Sequence, residues 1–282
     1  MHHLYRIILR IISYLPIWIL YFFSDLLYLI IYKILRYRLN IVKKNINNCF
    51  PEKSNKDKKL IEKKFYKHLC DIIMEVIKSF SISKDEINKR VIFKNIDLFH
   101  KYKNDSIILA VSHYGNWELG LQAISINVNQ KMIGVYKKFN NQLFNILIKK
   151  NRERNGSVLV EIKEIYRYLL KNIDTPKIIG LLADQSPEKN NSNYWKEFML
   201  QETIVYNGPE KISNKFNYPV LFCSMKKVKR GKYEVYIEEL YTKSSKIKKD
   251  DITSIYLRKV EKAIKENPEF YLWSHNRWKH TR

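Results

Sequence analysis

Two residues in this chain have the types and placement needed to move a proton, His113 and Glu118. They stand in the run Ile107-Ile108-Leu109-Ala110-Val111-Ser112-His113-Tyr114-Gly115-Asn116-Trp117-Glu118. An imidazole accepts a proton near neutral pH, and a carboxylate bonded to one ring nitrogen holds the other ready as general base. Residues five apart on a regular helix stand ~140° apart in azimuth. The pair therefore meets only if His113 lies on a turn and Glu118 in the first turn of a following helix. The sequence offers that arrangement. Ser106–Val111 reads as a short apolar strand, Gly115 permits a tight turn and close approach of a substrate, and Trp117–Ile126 reads as a helix.

The flanking chain predicts the frame for this turn. Lys131–Tyr136, Ser157–Ile162 and Lys177–Leu182 read as strands, with a helical pattern from Asn141 through Ile148 and another helical segment before Lys177. Strands alternating with helices predict βαβ units and an α/β fold with a mainly parallel sheet flanked by helices. In such a sheet the carboxyl ends of the strands form the ligand crevice. Asp184 and Gln185 follow a strand as His113 does, and so either line the same crevice or close a loop before Pro187. Pro219–Met225 and Lys232–Glu238, joined through Arg230-Gly231, read as a hairpin at the sheet edge, and a last helix runs from about Thr253 to Glu266. Upstream, Ser54 with Asp57 opens a helix in the capping-box manner. Ile61, Phe65, Leu69, Ile72, Ile73, Val76 and Phe80 then recur on one face.

His113-Tyr-Gly-Asn-Trp-Glu118 resembles the His-four-residues-acid motif of the lipid A biosynthesis (late) acyltransferase family. The resemblance continues, in order, through Tyr136-Lys-Lys-Phe-Asn-Asn141, Arg152-Glu-Arg154-Asn-Gly156, Asp184-Gln-Ser-Pro187, Tyr194-Trp195, Gly208-Pro-Glu-Lys211 and the tail Trp273-Ser-His-Asn-Arg-Trp-Lys279. It implies a glycerolipid-acyltransferase-like fold and an inner-membrane enzyme that transfers an acyl chain from acyl carrier protein to a hydroxyl of a lipid A precursor. His113 is then the general base, oriented by Glu118. Negative charge developing on the thioester carbonyl needs donors, which backbone N–H groups after Gly115, Arg152 or Arg154 supply. Gly115, Asn116, Lys137, Arg152, Arg154, Asp184, Gln185, Gly208 and Glu210 are the expected substrate-binding positions. Lys137 departs from the arginine often found there and makes a weaker bidentate clamp. Arg154, at a helix end, is placed on the edge opposite His113, which suggests an indirect role. Gly208 and Glu210 equally suit a turn and a helix start. The Trp273–Arg282 tail suits either lipid headgroups or core packing.

The first 40 residues fit this picture as a membrane anchor. From Leu4 to Leu35 the chain is dominated by Ile, Leu, Tyr, Phe and Trp, interrupted by Arg6, Arg10, Asp25 and Lys33. It lacks the short apolar region and cleavage site of a secretory signal. It reads as one tilted span of roughly 20 apolar residues or two shorter interfacial helices divided near Ser24-Asp25, the alternative to membrane contact being a buried hydrophobic hairpin. Lys33, Arg36, Arg38, Lys43 and Lys44 then place the remainder at the cytoplasmic face. Residues 41–100 are expected to form a helical accessory segment and 101–282 the α/β core.

A formal net charge of +24 attracts an anionic partner: nucleic acid, acidic lipid or an acidic protein such as acyl carrier protein. Part of this excess follows from a chain rich in Lys, Asn and Ile together, as A/T-biased coding produces. No nucleic-acid-binding module is recognised, and an apolar N-terminal segment has no place in one, so nucleic acid is not an expected partner. Other readings are the same chemistry on a lysophospholipid or amino-acid-linked lipid, or a non-catalytic basic protein binding membrane or nucleic acid. Cys49, Cys70 and Cys223 lack CxxC spacing and fit a reducing compartment. His275 and His280 lack companion ligands, and the chemistry requires no metal or organic cofactor.

Overall fold

The computed structural model describes residues 2–188, 194–242 and 251–280, with side chains from residue 8 onward; Arg6 as a side chain and Arg282 of the tail lie outside the described residues. The chain opens with α1 (His2–Tyr14), α2 (Ile17–Tyr28), a π-helical stretch (Leu29–Ile34), α3 (Leu39–Cys49), α4 (Asn55–Lys78) and α5 (Lys84–Arg90). Then come β1 (Val91–Phe93), α6 (Asp97–Lys101), β2 (Ile107–Val111), α7 (Trp117–Asn127), β3 (Lys131–Tyr136), α8 (Gln142–Glu153), β4 (Val158–Glu161), α9 (Ile165–Lys171) and β5 (Lys177–Leu182). A separate two-stranded hairpin, β6 (Trp195–Phe198) and β7 (Gln201–Ile204), precedes α10 (Gly208–Phe216), β8 (Val220–Lys229), β9 (Lys232–Tyr241) and α11 (Ile252–Glu266).

Seven strands form one sheet in the order β1-β9-β8-β2-β5-β3-β4, parallel at every pairing except β8 with β9. The mainly parallel α/β fold is therefore as expected. Strand β2 shows why: Ile108 and Ala110 pack into the cluster on one face, Ile107 and Leu109 into the cluster on the other. A strand covered on both faces is an unbroken apolar run, which is the pattern that 107–111 displays.

The hairpin differs from its expected place. β8 lies inside the sheet beside β2, and β1 caps β9 at the edge. This position follows from burial, since β8 begins Val220-Leu221-Phe222-Cys223 and all four are buried. The edge strand β1 comes from residues 41–100, so that segment also contributes to the sheet. Its main helix, α4, starts as its sequence indicates, with the Ser54 hydroxyl accepting from the Asp57 N–H at 3.1 Å.

Among the described residues one stretch, Ile17–Ile34, is long and apolar enough to cross a membrane. One side of it is tied to α4 by polar contacts. The Tyr21 hydroxyl donates to Glu75 at 2.8 Å, Ser24 to Asp71 at 2.8 Å and Tyr32 to Glu62 at 2.7 Å. The other side leaves Trp18, Phe22, Phe23, Leu26, Leu29 and Ile30 exposed.

Candidate active site

The loop after β2 is where chemistry converges, and strand register brings its partner to it. β2 and β5 are neighbours with Val111 opposite Leu182. Two residues beyond each of these stand His113 and Asp184, so the register sets them side by side. His113 Nδ1 lies 2.8 Å from Asp184 Oδ1, and the His113 backbone N–H donates to the same oxygen at 3.1 Å. Asp184 is wholly buried, and the His113 side chain is 15% exposed. Burial opposes ionisation of Asp184, yet the charge and hydrogen bonds of His113 outweigh it and hold the carboxyl below its ordinary range. An ionised carboxylate only accepts, so Nδ1 carries a proton and in the neutral imidazole Nε2 is the atom with the lone pair. Among the described residues no hydrogen bond engages Nε2.

This corrects the expected partnership. Glu118 does sit in the first turn of α7, as anticipated, but it faces α8 instead of the imidazole. Arg152 donates through Nε to Oε2 at 2.8 Å and through Nη2 to Oε1 at 2.5 Å, a two-point fork. The Trp117 indole N–H adds a bond to Oε1 at 3.2 Å, while its ring packs edge-on to His113 with centroids 5.1 Å apart. Glu118 is thus one side chain removed from His113, and the carboxylate on the imidazole is Asp184.

The turn between His113 and Glu118 is held from two sides. Gly115 has φ +66°, which a side chain disfavours, and an added Cβ would press on Met225 at 3.1 Å. Asn116 caps α7 by accepting from the Leu119 N–H at 3.0 Å, and its amide donates to Glu75 at 2.6 Å. Glu75 also accepts from Tyr233 at 2.7 Å, and burial raises its carboxyl above the usual range. From the other side the Gly115 N–H donates to the Phe270 carbonyl at 3.0 Å, and the Leu272 N–H to that of His113 at 3.1 Å.

The tail is core, which settles its reading: Trp273 and Arg277 are fully buried and Trp278 nearly so. Arg277 donates to the Asp184 carbonyl, to Thr203 Oγ1 at 2.9 Å and to the Ile204 carbonyl at 3.0 Å. It ties the Asp184 turn to the small hairpin. His275 lies nearby; burial lowers its pKa to about 4, with Asp184 opposing and His113 adding to the shift.

An apolar cavity of about 710 Å³, including its open end, is lined by Ser112 and Tyr114, which flank His113, and by Trp117, which packs on its ring. It runs between Leu121, Met132 and Leu159, with Glu118 and Arg152 also on its wall. Gly134 and Gly180 keep it clear, since a Cβ there would meet Leu159 at 2.6 Å and Met132 at 2.5 Å.

The remaining expected residues lie elsewhere. Lys137 is exposed and pairs with Glu188 at 2.5 Å. Arg154 donates to the Ser79 carbonyl, which suits an indirect role. Glu210 accepts from the Thr253 N–H at 3.0 Å at the start of α11, and Gly208 lies under the Tyr206 ring, where a Cβ would come within 2.3 Å. Gln185 follows Asp184, half-buried. The sequence did not single out Glu75, left Trp117 without a site role, and offered Arg277 only as part of a tail suited to headgroups or core packing. The one available signal was that carboxylates on a mainly apolar helix face, as Glu75 is on α4, require buried partners.

Residues 1–280 match the family model described as bacterial lipid A biosynthesis acyltransferase. The chain is 22% identical over 249 residues to the lipid A biosynthesis palmitoleoyltransferase of Escherichia coli (strain K12), covering 87% of this chain and 80% of the relative. It is 22% identical over 284 residues to the lipid A biosynthesis lauroyltransferase of the same organism, covering 95% and 91%. A lipid A biosynthesis acyltransferase of Haemophilus influenzae is 22% identical over 244 residues, covering 86% and 78%. With a match that runs through the His113 loop, the Asp184 turn and the buried tail, the chain belongs to the bacterial lipid A biosynthesis acyltransferase family.

Proposed function

We propose that this acyltransferase moves a fatty acyl chain from an acyl carrier protein thioester to a hydroxyl of a lipid A precursor, at the cytoplasmic face of the inner membrane. The observation that carries the reading is a histidine with a free Nε2 and a carboxylate on Nδ1, whose chain neighbours Ser112 and Tyr114 line an apolar cavity. The acyl chain occupies the cavity and brings its thioester carbonyl to the rim. His113 Nε2 takes the proton of the acceptor hydroxyl as its oxygen bonds to the carbonyl carbon. The tetrahedral intermediate then breaks its C–S bond, and the leaving thiolate takes the proton from the imidazolium.

Charge on the carbonyl oxygen requires donors. The Trp117 and Glu118 N–H groups, at the first two positions of α7, carry no hydrogen bond among the described residues. Arg152 keeps Nη1 outside its fork with Glu118. In this reading Glu118 acts by fixing Arg152 at the cavity wall, and Asp184 takes the orienting role first expected of Glu118. The excess of basic over acidic residues, 52 against 28, suits both an acidic donor protein and a phosphorylated acceptor. The exposed apolar side of α2 suits a bilayer surface.

The test is mass spectrometry of membranes supplied with acyl carrier protein thioesters and lipid A precursor. A product heavier by one acyl group, lost with His113→Ala, is expected. Acylation of a lysophospholipid alone would keep the chemistry and change the acceptor.

A further inference from the structure

Acyl transfer brings together two long-chain reactants, and the cavity at Ser112 and Trp117 accounts for one. A second recess of about 910 Å³, including its open mouth, shares no lining residue with that cavity. Its walls are Ile31 and Leu35 from the π-helical stretch, Leu69 and Ile73 from α4, and Leu272 from the C-terminal segment, with Arg38 at its mouth.

Three observations say what fills it. The first is position. Leu272, which lines the recess, is the residue whose N–H holds the His113 carbonyl at 3.1 Å. His275, also on the wall, is close enough to His113 and Asp184 for both to act on its protonation. The second is continuity: Leu35 is 66% exposed, and beside it Leu29, Ile30 and Ile34 extend the apolar lining onto the outer face of the N-terminal helices. A hydrocarbon chain can pass from a bilayer at that face into the recess without crossing water. The third is charge. Arg38 is exposed, gives one bond to the Ser274 carbonyl at 3.0 Å, and has no carboxylate within ion-pair distance among the described residues. Lys33 and Arg36 stand just before it in the chain, both exposed.

We infer that this recess is the acceptor site: it holds an acyl chain of the acceptor lipid, and Arg38 holds an anionic group of its head. The inference rests on the function proposed above and adds where the acceptor sits. The donor chain and the acceptor chain thus occupy separate hollows that both adjoin the His113 loop.

Two experiments on the full chain test it. In steady-state assays with both substrates, Leu69→Trp and Ile73→Trp, which fill the recess, and Arg38→Ala are each expected to raise the acceptor KM about ten-fold or more while the donor KM stays unchanged. Arg38→Lys is expected to recover part of the loss. An unchanged acceptor KM, or an equal rise in the donor KM, overturns the assignment. The second experiment needs no turnover. A benzophenone side chain at Ile73 is irradiated in phospholipid vesicles containing lipid A precursor. A cross-link to the precursor, suppressed by Arg38→Ala, supports the site. Cross-linking to bulk phospholipid alone would make the recess a membrane contact and overturn it. A wild-type chain that acylates no lipid A precursor would remove the functional reading, while the cross-link would still report on the recess.

Discussion

The two carboxylate-centred pairs near the end of β2 differ in how they are assembled. His113 and Asp184 come from neighbouring parallel strands, each two residues past a matched pair of strand ends. Glu118 and Arg152 come from the first turn of α7 and the last turn of α8. The first pair has a fully buried carboxylate, with Arg277 bonded to its backbone. The second is a flat two-point fork on the wall of an apolar cavity, 13–14% exposed. The His and Glu five residues apart therefore belong to two pairs, one that in the proposed reaction transfers the proton and one that holds an arginine. A motif can be compact in sequence while its members act through different partners.

That contrast can be broken experimentally, and the largest effect is expected at the base itself. His113→Ala should lower acyl transfer by on the order of 10³–10⁴-fold, with the melting temperature and vesicle binding nearly unchanged. Next comes Asp184→Asn, which keeps the shape but lets the ring adopt either tautomer; kcat should fall roughly 10²–10³-fold. Glu118→Gln weakens the fork and frees Arg152, and a loss of about ten-fold to 10²-fold in kcat/KM is expected. The ranking is the test. If Glu118→Gln proves costlier than Asp184→Asn, Glu118 regains the role of His113's partner. Since Glu118 and Arg152 share one interaction, Glu118→Ala combined with Arg152→Ala should cost much less than the sum of the single losses.

The smallest effect separates the surroundings of the first pair by pH. His275 ordinarily titrates at 6.5, and its folded value is about 4. Between those values the unfolded chain binds the proton and the folded chain does not, so stability falls as pH falls from about 6.5 to about 4 and is unaffected above. Asp184 is depressed from 3.8, so its contribution is present above that value and is lost as pH falls through the lower folded value. Denaturant unfolding across this range should show His275→Gln flattening the slope between about 6.5 and 4. Asp184→Asn should change the slope only below 3.8.

Much of the frame was legible in the chain. Lys131–Tyr136 and Lys177–Leu182 form strands over the expected residues, because a strand buried on both faces must be apolar throughout and is bounded sharply by polar loops. The Ser54 cap and the turn at Gly115 follow from local chemistry. Two features were not legible. The hairpin sits inside the sheet because β1, only three residues long, covers its outer strand, and so short a strand carries no periodicity. Glu75 supports Asn116 from a helix 41 residues earlier in the chain, a distance over which no pattern operates.

By itself the sequence determined the alternation of strands and helices, the position of His113 past a strand end and of Glu118 in the turn after it, and the apolar character of the first 40 residues. These are properties of short stretches, governed by side-chain period, turn conformations and capping. The tertiary structure alone decided which carboxylate reaches the imidazole, which arginine Glu118 holds, that Trp273, Arg277 and Trp278 of the tail are core, and that two separate hollows open near the His113 loop. Each of these depends on strand order and register, which are set by how all the apolar faces bury together, and no local run of residues encodes that sum.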